Sequence, residues 1–178
     1  MGDVRGWLRT STRDWHTRVD AAYARFTLAD RASYRDFLAA HARALIPLED
    51  WIDAARLLPG WRGRSAAVAD DLATLAAPPP PCPRIAWPDN EAARWGALYV
   101  LEGSRMGAAV LARAVGPDLP TGYLNASAPP GLWRNLVQAL ERAAAIGGPL
   151  WREQALTGAM RAFALFDSAA REAHAAHG

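Results

Sequence analysis

Two places in the sequence carry residue types that could do chemistry: His16 with Asp20 four positions later, and Gly103 with Gly107 inside the apolar stretch YVLEGSRMGAAVL, residues 99–111. Four residues is just over one helical turn, so the members of each pair share a face. His16 borders the apolar stripe of the first helix, where the Asp20 carboxylate can accept a hydrogen bond from the ring and so suit it to bind metal. No second ligand stands at helical spacing from His16, and a zinc site needs three or four protein ligands. An iron inside a macrocycle needs only one, because the ring supplies the other four nitrogens.

Glycine in a helix interior costs about 1 kcal/mol relative to alanine, so Gly103 and Gly107 imply that bare backbone is useful on their face. Two readings account for them. A flat macrocycle needs an imidazole on one side and close backbone on the other, and a neighbouring helix packed tightly against α-carbons needs the same small residues. Glu102 and Arg105 within the segment rule out a transmembrane dimerisation face. Of the remaining histidines, His41 reads as surface or satisfied core, and His174 and His177 as a fraying helix end.

The elements that must position these residues are helices. Leu8, Trp15, Val19, Ala22, Tyr23 and Phe26 recur at helical spacing, which predicts one helix over about 3–25. A second run reaches from the LADRAS segment to Leu58 with Pro47 as a kink, and GRSAAVADDLATLA stops at the PPPPCP run, where helix cannot continue. After WPDN, with Asp89 or Asn90 as N-cap, a long helix runs from about Glu91 to Val115 and contains the glycine pair. GPDLPTGYLNASAPP is a loop, and two helices follow on either side of Gly147 and Gly148.

No stretch alternates as a strand does, so the chain is all-α, a bundle of six to eight helices. At 178 residues it has enough length for one sizeable core, with the proline run as an internal connector; residues 1–178 form one domain. The net charge of +2 comes from arginines interleaved with acids, with no stripe to track phosphates, which argues against nucleic acid. A single cysteine, Cys82, suits a reducing compartment. The MGDVRGWLRT start has no apolar leader and no segment spans a membrane, so the expected location is cytoplasmic.

LRTSTRDWH, residues 8–16, together with LYVLEGSRMGAAVL, residues 98–111, and the late pair Ala162–Phe163, resembles the bacterial haem oxygenases, particularly the biliverdin-producing type that supplies bacteriophytochromes. The resemblance runs in helix order over nearly the whole chain and implies a haem oxygenase-like bundle. It implies haem as both substrate and cofactor, cut to biliverdin, CO and ferrous iron with O2 and electrons from an external donor, a ferredoxin or a reductase. The implied bilin acceptor is a bacteriophytochrome.

By the same resemblance His16 is the proximal ligand to the iron, Gly103, Ser104 and Gly107 line the distal helix, and Phe163 borders the cofactor. Asp20 steadies His16, Arg9 pairs with a haem propionate, Tyr123 is a loop tyrosine near a propionate, and Arg142 is a second basic partner. Two positions depart from the family pattern. Ala108 stands where a further glycine is common, and Ser104 where many members carry aspartate; with Arg105, Ala108 leaves open a haem carrier that does not oxidise its cargo. A helical interaction domain in which His16 and the glycines merely pack is the third reading.

Overall fold

In the computed structural model, which describes residues 3–53 and 56–176, helices are the only regular elements among the described residues: α1 (Val4–Ser11), α2 (Arg13–Tyr23), α3 (Arg31–Asp53), α4 (Ser65–Thr74), α5 (Glu91–Ala112) and α6 (Leu132–Ala175). His177 lies outside the described residues. The helix expected over 3–25 is two helices. Thr12 leaves helical geometry at φ −106°, ψ 7°, and its buried hydroxyl donates to the Leu8 carbonyl at 2.8 Å. Side chains that compete for the backbone in this way bend helices. Asp3 caps α1 by accepting from the Gly6 amide at 2.8 Å, and Asn90 caps α5 by accepting from Ala93 at 2.9 Å.

α3 ends at Asp53, short of the expected Leu58, and Pro47 sits inside it without ending it. The two helices expected on either side of Gly147 and Gly148 are both present as the two arms of α6, which meet at a kink at Gly148, whose φ of 67° and ψ of −157° no ordinary side chain adopts comfortably. Pro149 opens the second arm, where its missing N–H costs nothing.

α6 is the central element and packs on α1, α2, α3 and α5; α3 also packs on α4 and α5. The tightest crossing joins α5 to the second arm of α6. A Cβ on Gly96 would collide with the Ala155 carbonyl, and one on Gly158 with the Ala93 carbonyl. One hydrophobic cluster takes in residues from both sides of the proline run, from Val4 and Phe37 to Leu72, Leu98, Leu140 and Phe166. The run itself is strapped down: Arg43 donates to the Pro81 carbonyl at 2.6 Å, and Trp87 meets Trp51 edge to face at 5.2 Å. No helix among the described residues is long and apolar enough to cross a membrane.

Candidate functional site

α2 and α5 both pack on α6 but form no extended interface with each other. His16 projects from α2 with its side chain 65% exposed, and its Nδ1 lies 2.9 Å from Oδ2 of Asp20. That contact fixes the ring and leaves Nε2 as the free nitrogen. Phe163 of α6 meets the imidazole edge-on, ring centroids 6.0 Å apart. The structure therefore brings together His16, Asp20 and Phe163, one turn of α2 against the second arm of α6.

On α5 a Cβ built on Gly103 or Gly107 meets nothing within 4 Å. Among the described residues no helix of the chain lies against this pair, so packing within the bundle does not account for it. The strip continues with exposed apolar side chains, Met106 at 57% and Val110 at 66%. Large apolar groups left in water beside bare backbone are the surface an apolar ligand covers. Ala108 is buried and turned to the core, so the methyl there does not narrow the strip.

Ser104 stands at the edge of this strip. Its hydroxyl donates to the Leu101 carbonyl at 2.7 Å and accepts from Nη2 of Arg64 at 3.0 Å. Arg64 is 3% exposed, and sequence reasoning missed it because no local pattern marks it. Its placement is non-local: the buried Glu49 carboxylate of α3 accepts from the amides of Arg64 and Ser65 and from the Ser65 hydroxyl, at 2.6–2.8 Å, which sets the start of α4 and sends the Arg64 side chain toward α5.

Behind Arg64 a chain of rings runs to α2. The guanidinium lies over the Tyr123 ring at 5.0 Å, the Tyr123 hydroxyl and Nδ1 of His41 are 2.8 Å apart, and His41 contacts the Tyr23 ring at 4.3 Å. Burial, reinforced by the Arg64 charge, pushes the His41 pKa down to about 3, so this imidazole is neutral core. Burial raises the phenol of Tyr23, whose hydroxyl is buried without a hydrogen-bond partner among the described residues.

The other expected site residues are placed differently. Tyr123 is 2% exposed, drawn inward because Asp71 accepts from the amides of Gly122 and Tyr123 at 3.1 and 2.8 Å. Its hydroxyl is engaged with His41, and the structure does not present it to the open strip. Arg142 is exposed on the first arm of α6. Arg9 is exposed on α1 near the phenol of Tyr99.

Tyr99 is the second residue that sequence reasoning missed, although i, i+4 spacing from Gly103 and Gly107 signals it. Burial raises its phenol pKa, and the charges of Arg5 and Arg9 partly offset that. Tyr99 thus feels the positive charges of Arg5 and Arg9, with the Asp3 carboxylate acting in the opposite sense. Arg105 has a structural partner. It is 8% exposed, pairs with Glu102 at 2.8 Å, and donates to the Arg62 carbonyl at 2.8 Å, while Trp61 donates to the same Glu102 carboxylate at 2.8 Å. That buried pair straps the 56–64 loop to α5.

No family model matches the chain. It is 35% identical over 158 residues, 77% of its own length and 88% of the relative's, to a protein of Xanthomonas campestris pv. campestris named "Heme oxygenase". Its fold matches the crystal structure of the NO- and CO-bound heme oxygenase from Neisseria meningitidis with a TM-score of 0.79, covering 97% of this chain and 92% of that one at 23% identity.

Proposed function

The chain belongs to the haem oxygenase family, and from that footing we propose that it cleaves haem to biliverdin, CO and ferrous iron, using O2 and electrons from an external donor of the ferredoxin or reductase class. The observation that carries this reading is the side chain of His16, exposed and oriented by Asp20, in a fold that leaves the backbone at Gly103 and Gly107 uncovered. The residues present suit a flat, largely apolar ligand with anionic edge groups: a free imidazole nitrogen, a bare strip with Met106 and Val110 beside it, and arginines at its end.

Bound haem supplies the redox iron and the ring carbon at which it is cut. The protein supplies placement. His16 would hold the iron through Nε2 while Asp20 holds Nδ1. Gly103 and Gly107 would present peptide groups without side chains to the bound ring and to a small gas molecule on it. Phe163 packs against the His16 ring and resists its tilting. Arg9, with Arg5 and Tyr99, would hold a propionate by charge-assisted hydrogen bonds, and Arg142 is the candidate for the second propionate.

The non-oxidising carrier loses both of its arguments, since Ala108 faces the core and Arg105 is consumed by Glu102. Titration of the purified protein with haemin is expected to give a saturable one-to-one visible spectrum. Ascorbate or a ferredoxin-type reductant under air then replaces that spectrum with bilin absorbance. Stable reduced haem in that assay would return the carrier reading, and the absence of any haemin spectrum would remove both. A bacteriophytochrome apoprotein added to the turnover mixture tests the acceptor: its own absorbance develops only if the bilin is handed on.

A further inference from the structure

α2 carries the exposed imidazole, yet it is a helix of 11 residues with no side-chain cap at its N-terminus and Tyr23 as its buried residue. A helix of that length does not hold itself in water, so its position depends on what ties it to α6. Trp15, Val19 and Ala22 are half-buried, and with Tyr23 they form the face turned to α6. His16 and Arg18 flank that face on opposite sides, since two residues subtend about 200° around a helix. His16 meets Phe163 on one flank. On the other, Arg18 donates from Nε and Nη2 to Oδ2 of Asp167 at 3.0 and 2.7 Å, with its guanidinium over the Trp15 ring at 5.0 Å.

Asp167 is 3% exposed, although it sits between two half-exposed arginines. The same Oδ2 accepts from Nε of Arg171, one turn further along α6, at 2.9 Å, while Oδ1 is buried with no hydrogen-bond partner among the described residues. Burial raises the pKa of this carboxyl, and the hydrogen bonds and charges of Arg18 and Arg171 more than offset that, holding it below the usual carboxylate value. Burying a carboxylate with one oxygen unpaired is costly. What the cost supports here is a charged bond between helices, two residues from His16.

We propose that Asp167 is a positioning residue for His16: through Arg18 it fixes the roll of α2 on α6, and with it the direction in which the imidazole meets the iron of bound haem. The proposal rests on the haem-cleavage reading. A roll of about 20°, at the about 6 Å radius of a helical side chain, moves the tip by about 2 Å. A displacement of that size is enough to spoil a bond to a fixed atom. Phe163 stops the roll in one sense and the Arg18–Asp167 bond stops it in the other.

The test compares Arg18→Gln with Arg171→Gln. Each removes one guanidinium from the same carboxylate oxygen, but Arg171 lies on α6 itself, so only Arg18→Gln cuts a bond between helices. In Arg18→Gln the iron–imidazole stretching band of the ferrous haem complex, read by resonance Raman, is expected to broaden and fall in frequency, and haemin affinity to drop about tenfold. Arg171→Gln is expected to match wild type in both. Equal changes in the two variants, or none in Arg18→Gln, overturn the proposal.

The tie itself is read without haemin. By hydrogen exchange of the apoprotein, the backbone amides of residues 16–22 are expected to exchange about tenfold faster in Arg18→Gln, with those of α5 unchanged. Asp167→Asn, which keeps the shape and removes the charge, is expected to do the same; Arg18→Gln alone decides if that buried change does not fold. Unchanged rates over 16–22 overturn the proposal. Failure of wild type to bind haemin sinks the proposed function, whereas normal haemin binding with an unaltered band in Arg18→Gln sinks this inference alone.

Discussion

Gly103 lies seven positions after Gly96 on α5, and the two ends of that short stretch do opposite jobs. At Gly96 the missing side chain is filled by α6: the Ala155 carbonyl sits where a Cβ would be, and Gly158 answers it against Ala93. At Gly103 and Gly107 no described residue occupies the vacated space. The same residue type on the same helix serves packing in one place and exposure in the other. The difference teaches that a glycine spacing alone does not say which; the neighbour across the gap does.

The contrast is sharpest by substitution. Leucine at Gly158 or Gly96 must displace backbone and is expected to cost about 3 kcal/mol or more in chemical denaturation, while Gly107→Leu leaves the fold at least as stable as wild type. Comparable losses at all three would erase the distinction. Gly107→Leu should instead weaken haemin binding by filling the strip.

The two imidazoles near this region differ in the same sense, one open and one enclosed. His16→Ala is expected to lower haemin affinity about 100-fold, about 2.7 kcal/mol, with no change in the melting temperature of the apoprotein. His41 works through stability. With its folded pKa near 3 and an unfolded value of 6.5, the unfolded chain binds a proton that the folded one refuses between those values. The contribution is complete above pH 6.5 and declines as pH falls, by at most about 1.4 kcal/mol per pH unit, until the folded pKa is reached. Denaturation midpoints measured from pH 7 to pH 4 should show this slope, and His41→Gln should flatten it.

The smallest effect is the most direct statement about open space. Gly103→Ala adds helix propensity at a site with nothing to strike, so the apoprotein is expected to gain about 1 kcal/mol in denaturation. A loss there would mean that something packs on the strip after all.

Helical periodicity made the all-α class, the helix order and the long α5 readable from residues alone, because each rests on local spacing. The family resemblance is carried by LRTSTRDWH, LYVLEGSRMGAAVL and the Ala162–Phe163 pair together. What stayed hidden depends on partners distant in sequence. The break at Thr12 comes from a hydroxyl back-bonding to Leu8, which local composition does not announce. Tyr123 looked like a loop residue free to reach a ligand, but Asp71, 52 positions away, draws its backbone and hence its ring into the core. Arg64 is set by Glu49, and the Gly96–Gly158 crossing joins residues with no shared motif.

The bend at Gly148 determines more than a change of direction. A straight rod of 44 residues would reach about 66 Å, roughly twice the width of a small domain, and most of it would protrude into solvent. Folded at one elbow, the rod becomes a pair of calipers: its first jaw meets α1 through Trp133 and Glu141, and its second carries Phe163 to His16. Where Trp133 and Glu141 stand relative to Phe163 is therefore set by the backbone dihedrals of one glycine.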